Sequence, residues 1–166
     1  PRVTVSAAIS CLEKFPDLHV KLYGHRAKLD SYLHQVNANS RLEIIHTDEQ
    51  VNAGERISSS LRKRQSSMRL ALDALREEQV SAVVSAGSTG ALVAISRYVL
   101  KTLLGIDRPA LVARLPHARG YSYMLDLGAN VECDSENLHQ FALMGSAFAK
   151  ALDNVPSPRV ALLNIG

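Results

Sequence analysis

The stretch VVSAGSTGALVAISRYVL, Val83–Leu100, decides how this sequence is read. A β-branched run stops at a small, polar, glycine-flanked turn, and an apolar pattern of helical period starts at once. Residues 81–87 (SAVVSAG) read as a strand. Leu92, Ile95, Val99 and Leu103 read as the buried stripe of the helix that follows. A strand that runs through a glycine loop into a helix is one half of a parallel β–α unit, and its loop lies on the edge where such sheets bind ligands.

The same alternation continues on both sides. TVSAAISCLEKF (4–15) puts Val5, Ala8, Ile9 and Leu12 on one helical face and stops near Pro16. HVKLY (19–23) is a strand ending at Gly24, HRAKLDSYLHQ (25–35) a polar helix, and RLEIIHT (41–47) a second strand. DEQVNAGERISSSLRKRQ (48–65) is polar and loop-rich. In SSMRLALDALREEQ (66–79), Met68, Ala71, Leu72 and Leu75 share a face opposite Arg69, Asp73 and Arg76. PALVARLP (109–116) and YSYMLDLG (121–128) read as strands joined by the turn-prone HARG. A long helix runs from about Ser135 to Leu152, and RVALLNIG (159–166) is a final strand. Alternation with near-continuous apolar strands predicts a single α/β unit over 1–166 with a mostly parallel sheet covered on both faces.

Composition sets outer bounds. The 166 residues suffice for a buried core, and 46% hydrophobic with 21% charged residues is ordinary for a globular α/β protein. A formal net charge of +3 suits anionic small molecules or acidic partners without indicating nucleic acid. The basic run lacks the aromatic interleaving of a nucleic-acid stripe. Cys11 and Cys133 form no framework and read as buried thiols of a reducing compartment. With no signal-peptide pattern and no apolar run of spanning length, the sequence reads as cytoplasmic. His19, His25, His34, His46, His117 and His139 show no metal spacing and read as surface or structural residues. Cys133 has no base beside it in sequence, which argues against a covalent nucleophile.

Three apolar strands thus run into small polar loops, and parallel neighbours would bring those loops together. In the first, which opens at Ser85, Gly87 and Gly90 allow close backbone approach, while Ser88 and Thr89 supply hydroxyls at a helix start, where unpaired N–H groups and the dipole favour an anion. The plainer reading is that Ser88 or Thr89 only caps the helix. The second loop offers Asp126, Gly128 and Asn130, either as an acceptor and an amide facing a crevice or as a turn bonded to itself. The third holds Asn164. Arg62, Lys63, Arg64 and Arg69 crowd the start of the helix near Ser66 and Ser67, which a bound anion would favour; alternatively ISSSLRKR is a short helix whose C-terminus welcomes cations.

SSMRLAL, VVSAGSTGALVAISRYVLKTLLGIDRPAL, YMLDLGANVEC and LLNIG, in that order and spacing, resemble the PlsX family of bacterial phosphate acyltransferases over nearly the whole chain. The resemblance implies a three-layer α/β/α fold like that of isocitrate dehydrogenases and phosphotransacetylases. It implies transfer of a long acyl chain from acyl carrier protein to inorganic phosphate, in a homodimer that associates peripherally with membranes. No cofactor is expected, and the residue spacing indicates no metal site. The family's SAGNTGA motif falls on Ser85 to Ala91, LDLGAN on Leu125 to Asn130, and LLNIG on Leu162 to Gly166. Gly87, Ser88, Thr89 and Gly90 are expected to hold phosphate with Arg62 and Ser67 in support; by the expected geometry of the loops rather than by the resemblance, Asn130 and Asn164 are candidates for orienting substrate or donating to the oxyanion.

Ser88 stands where the family has Asn, and AGERI stands for its DDKP-like stretch. The family's opening DAMGGD segment and its second half are expected beyond this chain, so the sequence is expected to be part of a longer protein, with exposed apolar surface and a tendency to associate. A non-catalytic phospholigand-binding module on the same scaffold is the alternative function. An oxidoreductase is disfavoured by the missing dinucleotide fingerprint and metal-binding carboxylates.

Overall fold

Two parallel strands open the architecture. Strand β1 (Val20–Gly24) pairs with β2 (Leu42–His46) in a register that sets Val20 opposite Leu42 and Gly24 opposite His46. This computed structural model describes residues 2–33 and 40–164. Helix α1 (Arg2–Lys14) precedes β1, and α2 (Arg26–Leu33) makes the crossover to β2. His34 and Gln35, expected in the same helix, lie outside the described residues. Val5, Leu22 and Leu29 form a buried cluster, with Ala8, Ile9, Val20, Leu33, Leu42 and Ile44 packed on it.

The end of α1 is completed from a distance. Its last carbonyls have no partner within the helix. The Arg41 guanidinium donates to the carbonyls of Leu12 (2.7 Å), Phe15 (2.9 Å) and Leu18 (3.0 Å). A cation is favoured there by the helix dipole as well.

Three more helices follow: α3 (Ile57–Arg62), α4 (Ser67–Arg76) and α5 (Thr89–Leu100). Met68, Leu72, Ala91, Ile95 and Val99 make their common core, joined by Val51, Leu61, Val83 and Leu92. Ile95 is 1% exposed, so truncation to Ala there costs roughly 2–5 kcal/mol. The expected apolar face of α4 is present in Met68, Ala71 and Leu72, with Ala74 buried beside them and Leu75 only half-buried.

Residues Thr102–Gly166 form a second compact unit, apart from Pro1–Lys101. Within it β3 (Val112–His117) and β4 (Gly120–Leu125) make an antiparallel hairpin, pairing Val112 with Leu125 and His117 with Gly120. The turn falls within HARG, as the sequence indicates. Helix α6 (Ser135–Asp153) packs on β4, opened by a capping box in which Asp134 and Asn137 satisfy each other's backbone N–H groups. Buried Gln140 ties α6 to the segment before β3: its Oε1 accepts from the Asp107 N–H and its Nε2 donates to the Asp107 carboxylate, both at 2.9 Å.

The α/β class holds, and four expectations are corrected. Residues 81–87 and 159–164 form no strand; Val84 is 93% exposed and Leu163 75%. Their composition favours a strand, but a strand exists only where a ladder partner takes its backbone groups, and no described residue does so. The sheet content is therefore a parallel pair and an antiparallel hairpin, not a mostly parallel sheet. Leu103 leaves the α5 stripe and is 81% exposed, because the helix stops at Leu100 and Lys101 takes a left-handed φ of 67°. Cys11 and Cys133 are both exposed rather than buried.

Candidate functional site

The loop before α5 is built by two serines. Ser85 Oγ accepts from the Gly87 N–H at 3.2 Å, and Ser88, as N-cap of α5, accepts from the Ala91 N–H at 3.4 Å. Space at Gly87 is tight: a Cβ there would lie 3.0 Å from Met68 Cε and 3.3 Å from Ser85 Oγ, so those side-chain ends would have to give by a few tenths of an ångström. Around Gly90 nothing lies within 4 Å of such an atom, and Ser85, Gly87, Thr89 and Gly90 are exposed. The capping role is thus visible for Ser88. The hydroxyl of Thr89 and the open surface at Gly90 are what this loop offers outward.

Met68 also fixes what lies beneath the loop, since it brings the first turn of α4 against Gly87. That turn is capped by Ser66, fully buried, which donates to the Lys63 carbonyl at 2.9 Å and accepts from the Arg69 N–H at 3.4 Å. Ser67, half-buried, donates its own N–H to the Glu49 carbonyl at 3.0 Å, so that amide is already committed. Arg62 is exposed and closes α3. The basic run therefore sits at a helix C-terminus, where cations are favourable, as the short-helix alternative has it. Lys63 pairs with Glu55 at 2.8 Å, and that bond, with one from the Asn52 N–H, holds the Glu55 carboxyl below its ordinary range.

In the second unit the DLGAN loop is closed on itself. Asp126 Oδ1 accepts from the Leu111 N–H at 2.7 Å, and Oδ2 accepts from the Asn130 N–H at 2.8 Å and Asn130 Nδ2 at 3.1 Å. Asn130 Nδ2 gives its other hydrogen to the Pro109 carbonyl at 3.0 Å. Burial raises the Asp126 pKa, but hydrogen bonds from Leu111, Asn130 and Ala129 together outweigh it and hold the carboxyl below its ordinary range. Gly128 turns the loop with φ 88°, a conformation that disfavours a side chain. As placed, Asn130 braces the loop with both amide hydrogens engaged. Asn164 lies in an exposed segment without regular secondary structure; Ile165 and Gly166 of the same motif lie outside the described residues. The premise that three parallel strands deliver these loops is corrected with the strands themselves: one loop follows an antiparallel strand and two follow no strand.

One polar cluster was not singled out in the sequence. At the carboxyl edge of the parallel pair, Asp48 lies 3.5 Å from His25 Nε2 and 3.6 Å from His46 Nε2, and the two rings meet edge to face with centroids 5.6 Å apart. His46 Nδ1 accepts the Arg26 N–H at 3.1 Å, serving the first orphan donor of α2. The parallel register sets Gly24 opposite His46 and so brings positions 25, 46 and 48 together; residue spacing alone carries no sign of it. Among the described residues no group of three such side chains could hold a metal ion.

The geometry defines an α/β protein with a serine-capped, glycine-opened helix start in one unit and a self-braced acidic loop in the other. The family model described as fatty acid synthesis protein matches residues 1–166, and the chain belongs to that family. It is 53% identical over 169 residues to the phosphate acyltransferase of Pseudomonas putida strain F1, 51% over 170 residues to that of Shewanella baltica strain OS155, and 50% over 169 residues to that of Ectopseudomonas mendocina strain ymp. Each alignment takes in 100% of this chain and 50% of the relative, so the chain spans about half the length of the curated relatives it matches.

Proposed function

We propose that this chain is part of a phosphate acyltransferase that moves a long acyl group from acyl carrier protein to inorganic phosphate. One observation carries the reading: identity of 50% or more along the whole chain to proteins named phosphate acyltransferase. The chemistry suits the residues. A phosphate oxygen attacks the thioester carbonyl, the C–S bond breaks, and the carrier thiol leaves with a proton, giving acyl phosphate. Phosphate is itself the nucleophile, so no acylated Ser or Cys is needed. The protein supplies orientation and stabilises the developing oxyanion.

In this proposal Ser85, Gly87, Ser88, Thr89 and Gly90 receive the phosphate at the start of α5, with Arg62 and Ser67 as supports. Asp126 and Gly128 shape the second loop, and Asn130 and Asn164 orient the substrate. The complete protein is a three-layer α/β/α homodimer in the cytoplasm, in peripheral contact with the membrane. No helix among the described residues is long and apolar enough to cross one. The test is acyl phosphate formation from palmitoyl carrier protein and orthophosphate by the intact natural protein. Formation that depends on orthophosphate supports the reading. Phosphate binding without turnover would replace it with a phospholigand-binding module.

A further inference from the structure

Helix α5 ends on Arg97-Tyr98-Val99-Leu100-Lys101, of which only Val99 is buried. Tyr98 is half exposed, and two cations flank its ring: Arg69 Cζ lies 5.2 Å and Lys101 Nζ 5.1 Å from the centroid. Arg69 is held in place by Asp73 at 2.8 Å. Arg97 and Lys101 make neither an ion pair nor a side-chain hydrogen bond among the described residues. The helix dipole accounts for positive charge at this end, but Lys101 lies over an aromatic ring and not on the terminal carbonyls. Cation–π contacts strengthen when water is removed, so this arrangement gains most when another surface covers it. Tyr and Arg grouped around a rigid anchor are also the residues that dominate protein interfaces.

We infer that this face of α5, centred on Tyr98 with Arg97 and Lys101 beside it, docks a protein partner with an acidic surface. Under the proposed function, on which this identification of the partner rests, that protein is the acyl carrier protein. A membrane surface fits less well, because polybasic lipid contacts use clusters of roughly four to eight cations, and here two are unpaired while Asp73 borders the patch.

The test measures binding of acyl carrier protein to the intact natural protein, before and after R97E/K101E, with thermal melting to verify folding. R97Q/K101Q serves if the reversal unfolds. The expected result is affinity weaker by about tenfold or more in low salt, with the gap narrowing as ionic strength rises. KM for the carrier rises while kcat and the KM for phosphate stay unchanged; Tyr98→Phe binds like the parent and Tyr98→Ala does not. Carrier affinity within twofold of the parent in the double variant overturns the inference, as does a parent that binds no carrier. Loss of binding to phosphatidylglycerol vesicles with carrier binding intact reassigns the face to lipid and overturns it too. A parent that binds carrier but forms no acyl phosphate refutes the proposed function alone.

Discussion

The loop at 85–90 and the loop at 126–130 use similar residues to opposite ends. In the second, one carboxylate gathers bonds from Leu111 and Asn130, and Asn130 commits both amide hydrogens to Asp126 and Pro109. In the first, two serines accept one longer bond each, and Thr89 and Gly90 remain open to solvent. A polar loop saturated from within is a brace, and one left partly open is a receiver. The contrast predicts that substitutions in the first loop act mainly on turnover, whereas those in the second cost stability as well.

The widest separation comes from the open loop. The double substitution Ser88→Ala with Thr89→Ala should lower kcat/KM for phosphate by on the order of a hundredfold, through lost positioning, while the missing cap costs only about 1 kcal/mol in denaturant unfolding. Stability loss with unchanged turnover would make this loop a mere cap. Asp126→Ala should weigh first on stability. It strands the Leu111 and Asn130 N–H groups and costs about 3 kcal/mol, judged from bonds to a charged acceptor.

A pH titration sharpens the same comparison. Because the folded-state pKa of Asp126 is depressed, its contribution is present above the ordinary Asp range and disappears as pH falls through the lower folded value. Unfolding free energy of the parent should therefore decline below about pH 4, and Asp126→Asn should flatten that decline; an identical decline in both would assign the acid sensitivity elsewhere. The smallest effect is expected at the two asparagines. Asn130→Ala should lose about 1–2 kcal/mol of stability along with turnover, and Asn164→Ala should lose turnover. Melting of Asn130→Ala equal to the parent would contradict the bracing role of Asn130.

Much of this was legible before the fold was known, for physical reasons that differ by element. Helices α4 and α6 declare themselves through period and local caps, since Ser66 and Asp134 bond within three residues of themselves. The β3–β4 hairpin needs only its own turn. Segments 81–87 and 159–164 read as strands from Val and Leu content, yet a strand is a property of a pair, and their sequences say nothing of a partner. The same holds for the His25–His46–Asp48 cluster, which exists only because of the register between β1 and β2. In the candidate site, the glycine and serine positions of the first loop were readable. The bond from Asn130 to Pro109 was not, because Pro109 lies 21 residues away.

Arg41 ties the end of one helix to a residue 29 positions later. Helix α1 is finished only once the chain has passed through β1 and α2 and reached the edge of β2. The C-terminal end of α1 thus gains its Arg41 bonds only through tertiary structure. Opening of β2 should release the carbonyls of Leu12, Phe15 and Leu18 together, so amide exchange in α1 and in β2 should share one opening free energy, and a protease that cuts between them should loosen both.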